Sequence, residues 1–359
     1  MSAHEILIAV MAVFAVLGGL DRIFGGRLGL GKEFENGILA MGSMALAMIG
    51  MISLAPVLAN LLRPVVVPVY RFLGADPAMF AGTILACDMG GGQLARELAA
   101  DSQAALLGGV LTGSMLGAPI VFTIPVAMGI LPEADRPALA TGVLAGIVTI
   151  PLGIFAGGLV AGFPLLMVLK NLIPIVIIAV LIALGLWKAE KAMIRGFEIF
   201  GRGVVIVITI GLVAAIVQSL TGFVIIPGLA PLTDGFDTVG NIAIVLAGAF
   251  PLVYTLTRIL RKPLTALGGA LGINKTAAAG LLASLANSIA TFGMVKDMDR
   301  RGKVVNMAFA VSAAFVFGDH LGFTAGFAPE MLPAMIVGKL VGGISAVAVA
   351  MLLTRKEPQ

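Results

Sequence analysis

Nine runs of mostly apolar residues, each about the length of a bilayer crossing, constrain this chain more than any other feature. They lie at 5–21, 37–62, 103–130, 137–161, 165–187, 203–220, 239–257, 304–326 and 331–353, and a membrane helix needs about 20 such residues. The first run has no basic flank before it and no small-residue cleavage site, so it reads as a retained helix and not a signal peptide. The polar segments, such as Lys188–Arg202 and Lys296–Lys303, are too short for a soluble domain. Only 12% of the residues are charged and 59% are hydrophobic, against about 25% and 45–50% in a soluble domain. A single cysteine excludes a disulfide scaffold. A net charge of +4, with no basic face interleaved with aromatics, argues against nucleic acid as a partner. The chain reads as an all-α polytopic membrane protein whose main partner is the lipid bilayer.

Two further apolar segments, Pro77–Ala95 and Thr276–Val295, are broken at their middles by CDMGGGQ and SLANS. Each is either a full span or a re-entrant hairpin. Cytoplasmic loops are enriched in Lys and Arg, so the charges decide. With both segments re-entrant and the N-terminus outside, the 23 basic residues fall mostly on the inner side. Only Arg63, Arg71, Arg96 and Lys170 lie outside, and Lys339 lies within a span. Eleven full spans, the alternative, separate the basic loops at 188–202, 258–275 and 296–303 and split the charge about evenly. Nine spans plus two hairpins, with a cytoplasmic C-terminus, is the better reading.

The two broken segments have similar surroundings. LAPVLANLLRP resembles FPLVYTLTRILRKP, Gly82 falls opposite Gly280, Gly117 opposite Gly318, and Gly142 and Gly146 opposite Gly338 and Gly342. This divides the chain into a first unit over 1–164, a linking helix and loop over 165–195, and a second unit over 196–359. An odd number of spans separates equivalent helices, so the repeat is inverted. Inverted repeats with interrupted helices meeting near the midplane characterise secondary transporters. Non-helical backbone at membrane depth lines a wet cavity or is buried in protein, which makes the two hairpin tips the expected substrate site.

Ionisable residues inside a membrane are costly and mark function. Asp88 sits at the break of the first hairpin, followed by Met89 and three glycines. A carboxylate beside the end of a helix favours a cation, and Gly90 lets the backbone turn and approach a ligand closely. The competing reading is an Asp that caps the second arm. Cys87 beside it reads as a small core residue that joins the candidate set by position. Asn287, the repeat partner of Asp88 within one residue, is expected with Ser288 and Ser284 to hydrogen-bond a neutral group, or else to bond its own backbone. Asp319 is a candidate for substrate contact or for an ion pair with Lys339. Lys339 is expected to neutralise a buried carboxylate, or to stand where coupled transporters bind a cation. His320 is a candidate proton shuttle or a hydrogen-bonded core histidine. Phe80, Phe122, Phe250, Tyr254, Phe292 and Phe317 lie near these features in sequence, and an aromatic face can hold an ammonium. No metal-ligand cluster, P-loop or nucleophile elbow is present in the sequence, so no cofactor or metal is expected and an enzyme or a primary pump is unsupported.

Five stretches carry a resemblance to a known family: MFAGTILACDMGGG (79–92), GVLAGIVTIPLG (142–153), AAAGLLASLANS (277–288), MDRRGKVVNMAFAVSAAFVFGDHLGF (298–323) and IVGKLVGG (336–343). Over nearly its whole length the chain resembles the bacterial ethanolamine permease family, EutH. The departure is near Gly162-Phe163-Pro164, where members of that family are expected to be longer. The resemblance implies ethanolamine as substrate and facilitated uptake across the bacterial inner membrane. Ethanolamine is a small ammonium with one hydroxyl, and Asp88 with hairpin carbonyls suits the first, Asn287 or Ser288 the second. A channel for ammonium or small amines is the competing function, and an intramembrane enzyme a more distant one. A homodimer is admitted by analogy with other hairpin-containing transporters.

Overall fold

The structure, a computed structural model, describes residues 2–355, apart from the side chains of residues 260–262 and 264–267. Lys356 therefore lies outside the described residues, as do the side chains of Arg261 and Lys262. Among the described residues every regular element is helical. In chain order these are α1 (Ala3–Ile23), α2 (Leu30–Phe72), α3 (Ala78–Ile84), α4 (Gly91–Leu98), α5 (Ser102–Ile130), α6 (Glu133–Val160) and α7 (Leu165–Thr221). They are followed by α8 (Leu232–Ala270), α9 (Lys275–Ala286), α10 (Ser288–Met294), α11 (Arg300–Ala313), α12 (Asp319–Phe327) and α13 (Leu332–Leu353).

Seven of the helices or helix runs are long and apolar enough to cross a membrane. One of them, α7, holds 57 residues, about 85 Å of helix at 1.5 Å per residue, far more than the roughly 30 Å hydrocarbon core. It does not run straight. Ala189 leaves helical geometry at φ −145°, ψ 49°, and a Cβ on Gly185 would stand 2.7 Å from the Met193 side chain. Asn171 near its start bonds the backbone of Asp76, just past the end of α2. Its later residues Ile208 and Gly211 lie against Gly50 and Leu54 of α2. The helix therefore folds back at Ala189 into two limbs that hold the runs 165–187 and 203–220.

Both broken segments close on themselves. In the first, the Asp76 carboxylate accepts from the amides of Ala78 (2.8 Å), Ala100 (3.1 Å) and Asp101 (3.0 Å), so the residues before α3 and after α4 meet. In the second, the Asn274 amide donates to Asp299 (2.7 Å) and its side chain to the Asp297 carbonyl (2.9 Å). Each segment enters and leaves at one end of the bundle. These latches satisfy backbone groups that no helix pairs. The Asp76→Ala variant should lose on the order of 2–4 kcal/mol, because bonds to a charged acceptor are worth more than neutral ones. Thermal unfolding in detergent measures this, and an unchanged Tm would rule the latch out as a stabilising element.

One sequence expectation is corrected. The run 304–326 is not a continuous helix: α11 ends at Ala313 and α12 starts at Asp319. The amides of Phe315 and Phe317 instead donate to the carbonyls of Ser284 (3.0 Å) and Leu285 (2.9 Å) in the second hairpin. The opened backbone thus finds its partners in another opened segment, as burial in a membrane requires. Phe315 sits at φ 63°, a conformation a bulky L-residue adopts only when its surroundings enforce it. Helix α5, by contrast, stays continuous but is π-wound over 107–117 and 119–123.

Of the glycines paired by the sequence comparison, Gly117 and Gly318 make like contacts, and Gly82 and Gly280 do not. A Cβ on Gly82 would lie 1.8 Å from the Gly108 carbonyl oxygen, and one on Gly280 2.4 Å from Asn306. A Cβ on Gly117 would meet the Leu85 carbonyl oxygen at 1.9 Å, and one on Gly318 the Ala286 carbonyl oxygen at 2.1 Å. The first arm of the first hairpin is thus seated on the backbone of α5, whereas the second hairpin meets backbone at Gly318 and side chains at Gly280.

The cross-chain contacts sort the helix ends into two sets. One gathers Lys303 with Asp135 (2.6 Å), Arg301 with the Thr354 carbonyl and Arg258 with the Leu28 carbonyl. The other gathers Arg63 with the Glu97 carbonyl, Arg96 with the Phe327 carbonyl, and the Asp76 latch. On the outside of the bundle, Val16, Leu61, Leu181 and Leu220 are exposed, whereas α5 is almost wholly buried. A bilayer is the solvent such a surface requires.

Candidate functional site

A cavity of about 980 Å³ lies where the two hairpin tips meet. Asp88 from the first tip, Asn287 from the second, and Asp319 and His320 from the start of α12 all line it. Each is there because a helix stops. The first tip runs through a tight turn at Cys87–Met89 and a left-handed Gly90 (φ 91°), where a Cβ would strike the Met51 side chain. Helix α4 then begins with no side-chain cap, so Asp88 is not engaged in capping it. Asn287 does cap: its side-chain oxygen accepts from the Ile289 amide at 2.8 Å. It meets its local structural need and still faces the cavity.

Asp88 and His320 approach to 3.8 Å between Oδ1 and Nε2. The His320 ring is 5.3 Å from that of Phe315, which in turn meets Phe122 edge-on at 5.6 Å. Phe122 and Phe315 both line the cavity. One wall thus carries two carboxylates, an imidazole and two aromatic rings, a combination suited to a small organic cation. At the far end the cavity is bordered by Glu198 and Arg202, paired at 3.5 Å, and by Ser43 and Gly129.

The other proposed residues sit behind this wall. Cys87, Gly90, Ser284 and Ser288 are buried and do not line the cavity. The Ser284 hydroxyl is bonded to the Leu281 carbonyl, and that of Ser288 has no hydrogen-bond partner. Lys339 makes no direct ion pair with a carboxylate among the described residues, though Asp88 lies within reach of its charge. Its Nζ donates to the Ser114 carbonyl at 2.6 Å, and the expected pair with Asp319 is not formed. Of the six nearby aromatics, Phe122 alone lines the cavity; Phe80 packs edge-on against Tyr70. Phe315 was not singled out in the sequence, because nothing in the apolar run FVFG signals that its backbone opens.

Among the described residues the one cluster of metal-type donors is Cys87, Asp88 and His320, whose ligand atoms lie within 4.8 Å of one another. The same three lie within electrostatic reach of the Lys339 ammonium. That charge opposes a divalent ion and leaves the cluster better matched to a monovalent cation at Asp88.

At the end opposite Glu198 and Arg202 the hairpin is closed. The Arg96 guanidinium lies 3.5 Å from the centre of the Phe327 ring and donates to the Phe327 carbonyl at 2.8 Å. Phe327 stacks on Phe323 at 4.8 Å, and both rings crowd against Gly92 of α4. Arg96 is exposed at the hairpin end and also clamps the first hairpin to α12.

The family described as "Ethanolamine utilisation protein, EutH" matches residues 3–353. A "Probable ethanolamine permease EutH" of Listeria monocytogenes is 60% identical over 356 residues, covering 99% of this chain and 95% of the relative. One of the same name from Escherichia coli is 50% identical over 395 residues, covering 99% and 97%. An "Uncharacterized protein YxeR" of Bacillus subtilis is 50% identical over 354 residues, covering 99% and 96%. No solved structure matches. With the family matched almost from end to end and relatives identical at half or more of their positions, the chain belongs to the EutH family.

Proposed function

We propose that this chain is a facilitator that takes up ethanolamine across the bacterial inner membrane. Its relatives are named as ethanolamine permeases. The observation that carries the reading is the shared cavity of Asp88 and Asn287, contributed by two separate hairpin tips. An ammonium bound between Asp88 and Asp319, with the Phe122 and Phe315 rings beside it, leaves the hydroxyl to reach Asn287. Binding energy for such a ligand comes from a few placed polar groups in an apolar pocket.

The architecture in this reading is nine crossings and two re-entrant hairpins, arranged as inverted repeats over 1–164 and 196–359 with 165–195 between them. The like backbone approaches at Gly117 and Gly318 and the two latches support it. The N-terminus is outside and the C-terminus cytoplasmic, since the helix ends carrying Arg258, Arg301 and Lys303 group together as the positive-inside rule requires. The mouth at Glu198 and Arg202 then faces the cytoplasm and the Arg96–Phe327 clamp faces outside, an inward-open state of an alternating-access cycle.

The test is binding of labelled ethanolamine to the purified protein, with choline and ammonium as competitors, followed by counterflow in proteoliposomes. Saturable counterflow is expected, with choline and ammonium weaker. A linear, non-saturating flux shared by ammonium would favour the channel, and unchanged affinity on removing the hydroxyl (ethylamine) would exclude the Asn287 contact.

A further inference from the structure

Among the described residues Lys339 is the one buried cation that the transport reading leaves without a role, and this inference rests on that reading. The side chain is 1% exposed. A lysine placed so deep in an apolar bundle is costly and needs a reason. Its ammonium is held by a backbone carbonyl, Ser114, in the π-wound part of α5. Among the described residues no carboxylate oxygen lies within ion-pair distance of it.

Its position relative to the other breaks follows from the helix register. Helices α11 and α13 are antiparallel: Arg301 reaches the Thr354 carbonyl, Gly343 packs on Phe309 and Ala313, and Gly342 on Ser312. One turn further along α13, Lys339 stands level with the opened segment 314–318. It therefore lies where the distorted backbone of α5, from the first half, meets the break between α11 and α12, from the second. In coupled transporters, unwound backbone at such junctions coordinates the co-transported cation.

We propose that Lys339 is a tethered cation that occupies this place permanently, so that ethanolamine moves without a coupling ion. Charge counting agrees. With Asp88 and Asp319 ionised, the junction holds two negative charges, one balanced by the Lys339 ammonium and one by the substrate ammonium. A chain without the lysine would need a second mobile cation to reach the same balance. The ammonium also ties α5 to α13, so that the loaded and empty sites share one framework on that side.

The full-length protein in proteoliposomes tests this, with the membrane potential clamped at zero by potassium and valinomycin. Wild-type uptake of labelled ethanolamine should stay within about twofold when sodium is replaced by N-methylglucamine or the proton gradient is collapsed. Lys339→Ala should lose about tenfold or more and recover in part as sodium or methylammonium is raised, while Lys339→Arg keeps most of the rate. Wild-type accumulation that requires a sodium or proton gradient would overturn the proposal, as would a Lys339→Ala protein that transports at the wild-type rate without added cations. If Lys339→Ala does not fold, the wild-type gradient dependence decides alone. Absence of any ethanolamine flux or binding in the wild type would instead defeat the transport reading, and the two failures are distinct.

Discussion

Asp88→Asn is expected to abolish ethanolamine uptake at normal expression while leaving the protein folded. The substitution keeps the shape of the side chain and removes its charge. Asp88 caps no helix and approaches the His320 ring at 3.8 Å, so little of the fold depends on it. What is lost is the charge partner of the substrate ammonium in a largely apolar cavity. Removing one partner of a buried charge pair costs about 2–5 kcal/mol, and 2 kcal/mol is already about a 30-fold loss of affinity. Asp88→Glu keeps the charge but lengthens the side chain, and should retain measurable binding. Asn287→Ala removes the cap on α10 as well as the proposed hydroxyl contact, so it should lower both Tm and affinity, with a smaller effect on uptake than Asp88→Asn. Uptake kinetics and thermal unfolding of the three variants separate these cases. Wild-type uptake by Asp88→Asn would remove Asp88 from the site.

The carboxylates were legible in the sequence because a charge inside an apolar run has no neutral explanation. Asp88 and Asp319 stood out for that reason, and both reach the cavity. The hairpins were legible for a related reason: a polar break in an apolar segment, combined with basic loops that had to share one side. In the structure, hydrogen bonds of Asp76 and Asn274 bring the two ends of each segment together. Backbone partners leave no such trace. Lys339 looked like the complement of a carboxylate, and its actual acceptor is a carbonyl exposed by π winding of α5. The opening at 314–318 was hidden in the same way, since it depends on the carbonyls of Ser284 and Leu285 arriving from a distant segment. Tertiary contacts that use only the main chain are invisible to a reading of side-chain types. The clamp at Arg96 illustrates another limit: Arg96 is exposed, as its place beside Glu97 at a helix end suggests, but nothing there signals that Phe327, 231 positions further on, lies beneath it.

Alanine at Gly117 should be among the most destructive small substitutions in the chain. The added Cβ would lie 1.9 Å from the Leu85 carbonyl oxygen and 2.3 Å from its carbon. Gly82 and Gly318 are in the same position, 1.8 Å from the Gly108 carbonyl oxygen and 2.1 Å from that of Ala286. These obstacles are backbone, so relief requires moving a hairpin arm and not a side-chain rotamer. Overpacking a dense interior costs about 1–3 kcal/mol when side chains absorb it, and more is expected where the hairpin tip itself must shift. Gly280 supplies the internal control: its obstacles at 2.4 and 2.5 Å are the ends of the Asn306 and Met298 side chains, which can turn away. Gly42 supplies the other extreme, since nothing lies within 4 Å of a Cβ there and alanine favours a helix by about 1 kcal/mol. The expected order of folded yield and Tm is Gly42→Ala at or above wild type, then Gly280→Ala, then Gly82→Ala, Gly117→Ala and Gly318→Ala with little monodisperse protein. Size-exclusion profiles and thermal unfolding in detergent measure it. A Gly117→Ala protein as stable as Gly42→Ala would mean that the first hairpin does not rest on α5, and the cavity built on that contact would go with it.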